Sequence, residues 1–497
     1  MVDVTAVLRH RLAAVLAVSC ICASVMMAAP AVAQGRTPSM LTDGSVSETV
    51  ASTERWSDDS VSVDGVRAEP ARSPVSTTGL EAAAAGVVTG RVLANSPSSA
   101  VPAAVSDGLV QFYDRFVTYR LVAEVATQPD GTFSISGLAA GSYRVAFVSY
   151  LSDGDFTPVR EWHVDARSYY AGGDVVLTEG VAYSFGDVVL EERVIEASRL
   201  SGADRFETAG AVAEWYRAST SGGTIYIVNG LNFPDALSAG AATVDGALLM
   251  VEQNRIPAAT QTQLTRIAPD RIVVVGGAVV VSDAVVAQLA AFVDSPDDVV
   301  RISGQTRYET SRNVITSPAG YNNTVSELLI ATGRSFPDAL AAVPAAMTRG
   351  GAVLLIDGSA SSLDAPTRAL VQSLGVPVTI VGGTGVVSAA IESELATLVS
   401  TSRVSGADRF GTSVAVAQEF FPQADWAFLA NGFGFADALA AGPAAGLLYA
   451  PVYLVQRDCV PFDVFIDVFF VLANEVVTVG GTGVVSDAAA DGTPCAG

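Results

Sequence analysis

The chain has 497 residues, more than one hydrophobic core organises, so several domains are expected. Half of it is hydrophobic, and its formal net charge is -23, from 28 basic and 51 acidic residues. Every basic side chain other than His is Arg, and no basic stripe stands out, which argues against nucleic acid as a partner.

Arg9, His10 and Arg11 precede an apolar run from Leu12 to Ala29, and Ala31-Val32-Ala33 supplies small residues for cleavage after Ala33. This pattern predicts an export signal over 1–33; a retained membrane anchor, or lipidation at Cys20, are the competing readings. No later segment is long and apolar enough to span a bilayer. Residues 34–85 are rich in Ser, Thr, Asp, Glu, Pro and Ala without apolar periodicity, the composition of a disordered spacer.

Over 86–194 short apolar runs alternate with Gly, Asp and Pro turns: Val87–Leu93, Leu109–Tyr113, Tyr119–Val125, Thr132–Ile135, Ser142–Val148, Asp174–Leu177 and Phe185–Leu190. They predict an all-β sandwich, to which no chemistry is assigned.

From Arg199 helical and strand-like text alternates, three times over. Arg199-Leu200-Ser201-Gly202-Ala203-Asp204-Arg205-Phe206 returns as Arg301-Ile302-Ser303-Gly304-Gln305-Thr306-Arg307-Tyr308 and as Arg403-Val404-Ser405-Gly406-Ala407-Asp408-Arg409-Phe410, at a spacing of 102 residues both times. A second line, Phe233-Pro234-Asp235-Ala236-Leu237, returns as Phe336-Pro337-Asp338-Ala339-Leu340 and Phe435-Ala436-Asp437-Ala438-Leu439. A third ends a strand-like run in Gly276-Gly277, Gly382-Gly383 and Gly480-Gly481, followed by Ser282, Ser388 and Ser486. Three lines recurring in order establish a repeat.

Within the first copy the text predicts strands at 224–228, 247–251 and 271–275 and helices at 235–245, 258–267 and 283–292. The strands are almost wholly apolar, as in a parallel sheet buried on both faces, so each copy reads as a three-layer α/β module. The three serines are expected to cap helices. Gly383-Thr384-Gly385 and Gly481-Thr482-Gly483 begin a dinucleotide fingerprint but lack its last Gly, so no cofactor is expected.

Asp235, Asp338 and Asp437 follow a strand and open a helix, which suits a carboxylate at a helix N-terminus; a ligand hydroxyl or cation is the functional alternative. Arg205, Arg307 and Arg409 read either as a structural network or as bidentate anion binders. No recurring His, His-Glu-x-x-His, Gly-x-Ser-x-Gly or recurring acid pair appears in the modules, so catalysis is not expected there. Beyond the export signal only Cys459 and Cys495 remain, and an exported chain permits their disulfide, with two free thiols as the alternative.

At these lines the sequence resembles the cell-wall-binding repeat 2 family, over about 197–497. The resemblance implies modules at 197–298, 299–400 and 401–497, packed with pseudo-threefold symmetry. It further implies non-covalent attachment to anionic cell-wall polysaccharide through grooves at the repeat junctions. Carried over by position, the groove residues are Arg205, Arg307 and Arg409, with Asn229, Thr332 and Asn431. Ala436 and the two cysteines set the third copy apart, and its groove is expected to be altered or closed. Residues 86–194 resemble a carboxypeptidase-regulatory or Cna-B-type sandwich through Asp130-Gly131-Thr132-Phe133 and Gly137-Leu138-Ala139-Ala140-Gly141-Ser142-Tyr143, which implies a stalk or adhesion module. The expected function is therefore wall attachment; a wall-modifying hydrolase and an outward-facing carbohydrate-binding adhesin are the alternatives.

Overall fold

A computed structural model describes residues 85–96, 99–106, 108–115, 120–149, 159–163, 172–190, 195–217, 221–243, 247–471 and 473–495. The expected export signal, Cys20 and all of the spacer but Ala85 lie outside them. No helix among the described residues is long and apolar enough to cross a membrane.

The N-terminal unit is the expected sandwich. One sheet is built on Val88–Ser96, which pairs antiparallel with Ser99–Ala104 and Thr132–Ile135 and parallel with Tyr183–Leu190. The other runs Leu121–Ala126, Leu109–Asp114, Gly141–Ser149 and Val159–Trp162, with Asp174–Leu177 also on Gly141–Ser149. Inward side chains including Val88, Val110, Phe112, Phe133, Val145 and Phe147 form a core separate from the rest of the chain. Two strands, Ser99–Ala104 and Val159–Trp162, were not anticipated from the text.

Each repeat builds a four-stranded, wholly parallel sheet. The first has the order Ala247–Val251, Thr224–Asn229, Arg271–Val275, Val299–Ile302. The second has Ala352–Ile356, Leu328–Thr332, Val378–Val381, Thr401–Val404. The last strand of each comes from the text that opens the next repeat. The third sheet, Val452–Val455, Trp426–Asn431, Glu475–Val479, takes its fourth strand from Glu196–Leu200, ahead of the first repeat. Strand exchange therefore closes the three modules into a ring. The inner strands are buried along almost their full length, so each sheet needs helices on both faces.

Three Ala-rich helices, Phe233–Gly240, Pro337–Thr348 and Ala436–Leu447, pack against one another at the centre of this ring. Small residues permit the approach: a Cβ on Gly442 would lie 2.7 Å from Val343 Cγ1, and one on Gly240 would lie 3.0 Å from it. A second helix from the following repeat packs on each: Arg307–Thr316 on the first, Arg409–Phe420 on the second and Arg205–Tyr216 on the third. One apolar core consequently spans all three repeats, while the other face of the second sheet, with Leu328, Ile330, Leu354 and Ile380, packs a core of its own.

The sandwich is docked on the third repeat. Arg160 Nη2 pairs with Asp425 Oδ1 at 2.6 Å, with side chains 0% and 1% exposed. Trp162 Nε1 donates to the same oxygen at 3.2 Å, Arg160 Nη1 donates to Gln423 Oε1 at 3.2 Å, and Tyr113 donates its hydroxyl to Gln423 as well. A carboxylate and a guanidinium this deeply buried persist only when paired, so the joint is specific in geometry.

The C-terminus is held by the Cys459–Cys495 disulfide, with an S–S distance of 2.07 Å. In the first two repeats the chain leaves its last helix and continues into the fourth strand. In the third the four-residue helix Asp487–Ala490 is followed by a segment that bridges Val460 at Pro494 and is tied to Cys459 by the disulfide.

Candidate functional site: three repeat junctions

The Arg-x-Ser-Gly line is a strand end, a turn and a helix start. Asp204, Thr306 and Asp408 are N-caps: Asp204 accepts from the backbone N–H of Phe206 and Glu207, Thr306 from Glu309, and Asp408 from Phe410 and Gly411. This explains why Thr replaces Asp in the middle copy, since both cap helices through a side-chain oxygen. Arg205, Arg307 and Arg409 are thus the first residues of helices.

The first Arg of each line is tied inward. Arg199, Arg301 and Arg403 donate Nη1 to Gly480 O at 2.7 Å, Gly276 O at 2.6 Å and Gly382 O at 2.6 Å. They also pair with Asp487 at 3.1 Å, Asp283 at 3.1 Å and Glu392 at 2.9 Å. These side chains fasten the exchanged strand to the Gly turn beside it.

The second Arg of each line is placed differently. Arg205, Arg307 and Arg409 are half-buried and donate Nη1 to Gly230 O at 2.8 Å, Gly333 O at 2.7 Å and Gly432 O at 2.7 Å. Each meets, across a junction, the acid of the preceding repeat: Asp437 faces Arg205, Asp235 faces Arg307 and Asp338 faces Arg409. A threonine completes the group. The hydroxyls of Thr208, Thr310 and Thr412 accept from Gly202 N at 3.1 Å, Gly304 N at 3.0 Å and Gly406 N at 3.2 Å. Each then hydrogen-bonds the facing carboxylate. An acid, an Arg and a Thr therefore recur at all three junctions.

Asp235, Asp338 and Asp437 stand in the first turns of their helices, where a carboxylate suits the helix N-terminus, while the N-cap residues Asn232, Phe336 and Phe435 make no side-chain cap hydrogen bond. The carboxylates also lie against Gly276, Gly382 and Gly480, the turn glycines of their own sheets. These glycines have φ of 126°, 115° and 115°, and a Cβ on Gly382 or Gly480 would lie 2.7 Å from the Asp Oδ2. Glycine is required twice over, by backbone conformation and by the carboxylate. Burial raises all three acids above the ordinary carboxylate range, against the downward pull of the Thr hydroxyl and the Arg; Asp338 and Asp437 are pushed up to about 6.

Asn229, Thr332 and Asn431 are buried beneath the junctions. Asn229 donates Nδ2 to Val280 O at 2.6 Å and accepts from Leu231 N at 2.7 Å; Asn431 does the same with Val484 O at 2.5 Å and Phe433 N at 2.7 Å. Thr332 accepts from Arg334 N at 3.3 Å. Their side chains shape the strand-end turns, whose rims carry the exposed Leu231, Arg334 and Phe433. In the third copy a Cβ on Gly434, next to Phe433, would meet nothing within 4 Å.

Among the described residues no group of three or more His, Cys, Asp or Glu side chains is placed to hold a metal ion. An open cleft of about 650 Å³ lies on the sandwich, lined among others by Arg91, Gln128, Phe133, Ser184 and Asp187.

Comparison with known proteins agrees with this architecture. The chain is 27% identical over 278 residues to an amidase enhancer of Bacillus subtilis, covering 55% of this chain and 36% of that protein. It is 27% identical over 245 residues to the N-acetylmuramoyl-L-alanine amidase LytC of the same organism, covering 49% and 47%. The chain thus spans less than half the length of these relatives. Among solved structures, Cwp6 from Clostridium difficile matches with a TM-score of 0.55 at 20% identity, covering 78% of this chain and 64% of Cwp6. Cwp8 from the same organism matches with a TM-score of 0.52 at 20% identity, covering 70% and 58%. The family described as Cell wall binding domain 2 (CWB2) matches residues 199–286, 301–392 and 403–490. With three matched copies over more than half of its length, the chain belongs to the CWB2 family.

Proposed function

We propose that the chain is exported and attached non-covalently to a bacterial cell wall, its three repeats gripping an anionic wall polysaccharide. The observation that carries this reading is the threefold recurrence of a half-exposed Arg beside a buried acid at an inter-repeat junction. Guanidinium groups fixed by a backbone carbonyl are pre-oriented for carboxylate or phosphate on a long polymer, and three related sites on one rigid ring multiply a weak contact. Arg205, Arg307 and Arg409 face the polymer, while Asn229, Thr332 and Asn431 hold the turns from beneath. On this reading residues 1–33 direct export and 34–85 form a spacer. The limits 197–298, 299–400 and 401–497 mark units of sequence that exchange one strand in space.

Residues 86–194, which resemble Cna-B-type sandwiches, serve as a stalk rigidly joined to the ring through Arg160 and Asp425. The cleft on that sandwich supports a second reading, an outward-facing carbohydrate site, that adds to wall attachment. Washed walls of the producing bacterium are the test. The full chain should sediment with them, and replacing Arg205, Arg307 and Arg409 together by Gln should release it while the chain stays folded, its circular dichroism at the assay temperature unchanged. Failure of the unaltered chain to sediment would refute attachment. Clearing of wall turbidity by the chain alone would favour a hydrolase.

A further inference from the structure

The floor of the three junctions is nearly invariant, but the rim is not. The residue after the glycine that accepts from the junction Arg is Leu231 in the first repeat, Arg334 in the second and Phe433 in the third. Arg334 is engaged by Asp357 at 3.3 Å and Ser359 at 3.0 Å. Leu231 and Phe433 are 61% and 62% exposed.

Exposure alone would say little, since single exposed apolar side chains are ordinary. Phe433 is exposed and also held. Phe410 meets its ring edge-on at 5.8 Å between centroids, and the Arg409 guanidinium carbon lies 4.8 Å from the ring centroid. Its backbone N–H is tied to Asn431, whose amide is anchored on Val484. Next to it Gly434 leaves open space. A fixed aromatic ring, wet on much of its surface and bordered by a cation, matches a sugar unit with an apolar C–H face and an anionic substituent. Little conformational freedom is lost when such a rigid ring is covered.

We propose that Phe433 makes the junction between the second and third repeats a saccharide-stacking subsite, in which a sugar ring of the wall polymer packs on Phe433 while its anionic group meets Arg409. The three junctions are then chemically distinct positions along the polymer. This rests on the reading of the repeats as wall-polymer binders.

The test uses the full chain and the anionic polysaccharide fraction extracted from washed walls of the producing bacterium, with affinity measured by calorimetry. Phe433→Ala should weaken binding about tenfold, the size of one lost aromatic contact, with an unchanged Tm. Phe433→Trp should restore binding, and Leu231→Ala should change it by less than about twofold. Binding by Phe433→Ala equal to that of the unaltered chain would overturn the subsite alone. So would equal losses for Phe433→Ala and Leu231→Ala, which would reveal a generic apolar rim. An unaltered chain that does not bind the fraction would overturn the attachment reading together with the subsite.

Discussion

Replacing Asp338 by Asn tests whether the junction acids carry a folding cost. Asp338 is 8% exposed, lies against Gly382 and is pushed up to about 6 by burial, despite the Thr412 hydroxyl and the nearby Arg409. An unfolded Asp titrates near 3.8. The folded state therefore binds the proton more tightly, so this acid contributes its full stability below about pH 4 and loses it as pH rises through about 6. Two pKa units correspond to about 3 kcal/mol, which is the destabilisation expected at neutral pH. Asn keeps an acceptor for Thr412 and removes the charge. Asp338→Asn should accordingly be more stable than the unaltered chain at pH 7.5, by up to about 3 kcal/mol, a figure that already includes the attraction to Arg409. The advantage should vanish by about pH 4. Calorimetric unfolding of both proteins across this range measures the difference and cancels the pH response of the many surface carboxylates. A variant less stable than its parent by the same amount at pH 7.5 and 4.5 would refute the reasoning, because the acid would then act only through its contacts.

Reduction, or Cys459→Ser with Cys495→Ser, opens a loop of sequence separation 36 and should cost about 4 kcal/mol in the chain-entropy model, read as a lower Tm in calorimetry. Asp425→Ala leaves Arg160 buried without its partner and should cost about 3–5 kcal/mol. It should also free the sandwich from the ring, seen as a larger radius of gyration by small-angle X-ray scattering.

Much of the ring was legible in the text because its signals are local and repeated. Apolar runs such as Ile225–Val228 and Ile272–Val275 read as strands buried on both faces, and the pairing of Cys459 with Cys495 was one of the two readings the cysteine count left. What the text hid is contact between distant segments. The helix Arg205–Tyr216 escaped notice because small and polar residues such as Thr208, Ala209 and Gly210 line its buried face. Periodicity marks an apolar stripe, and here the stripe of Phe206, Ala209, Val212, Ala213 and Tyr216 is blurred by the buried Thr208 and Gly210 beside it. Asp235, Asp338 and Asp437 were legible as carboxylates of first helical turns, but the distant partners of each carboxylate were not. The Thr and Arg that engage it lie in another repeat. Asn229 and Asn431 looked like groove residues, and only the hydrogen bonds to Val280 and Val484 reveal that both sit under the turn. Val159–Trp162 was missed because Arg160 and Glu161 interrupt its apolar text, although that Arg fixes the sandwich.

The borrowed strand Glu196–Leu200 gives the molecule a buckle. It is laid down before any repeat yet fills the edge of the last sheet, so the hoop fastens only when the third repeat has been made. The sandwich, which directly precedes that strand in sequence, is delivered to the third module as its neighbour in space, where Asp425 awaits Arg160. A protease that clips upstream of residue 196 would leave the hoop fastened and the stalk held by the Arg160–Asp425 joint alone. A cut just after Leu200 would sever the fourth strand of the third sheet from the first repeat, so that hydrogen bonds and packing alone would hold the hoop shut.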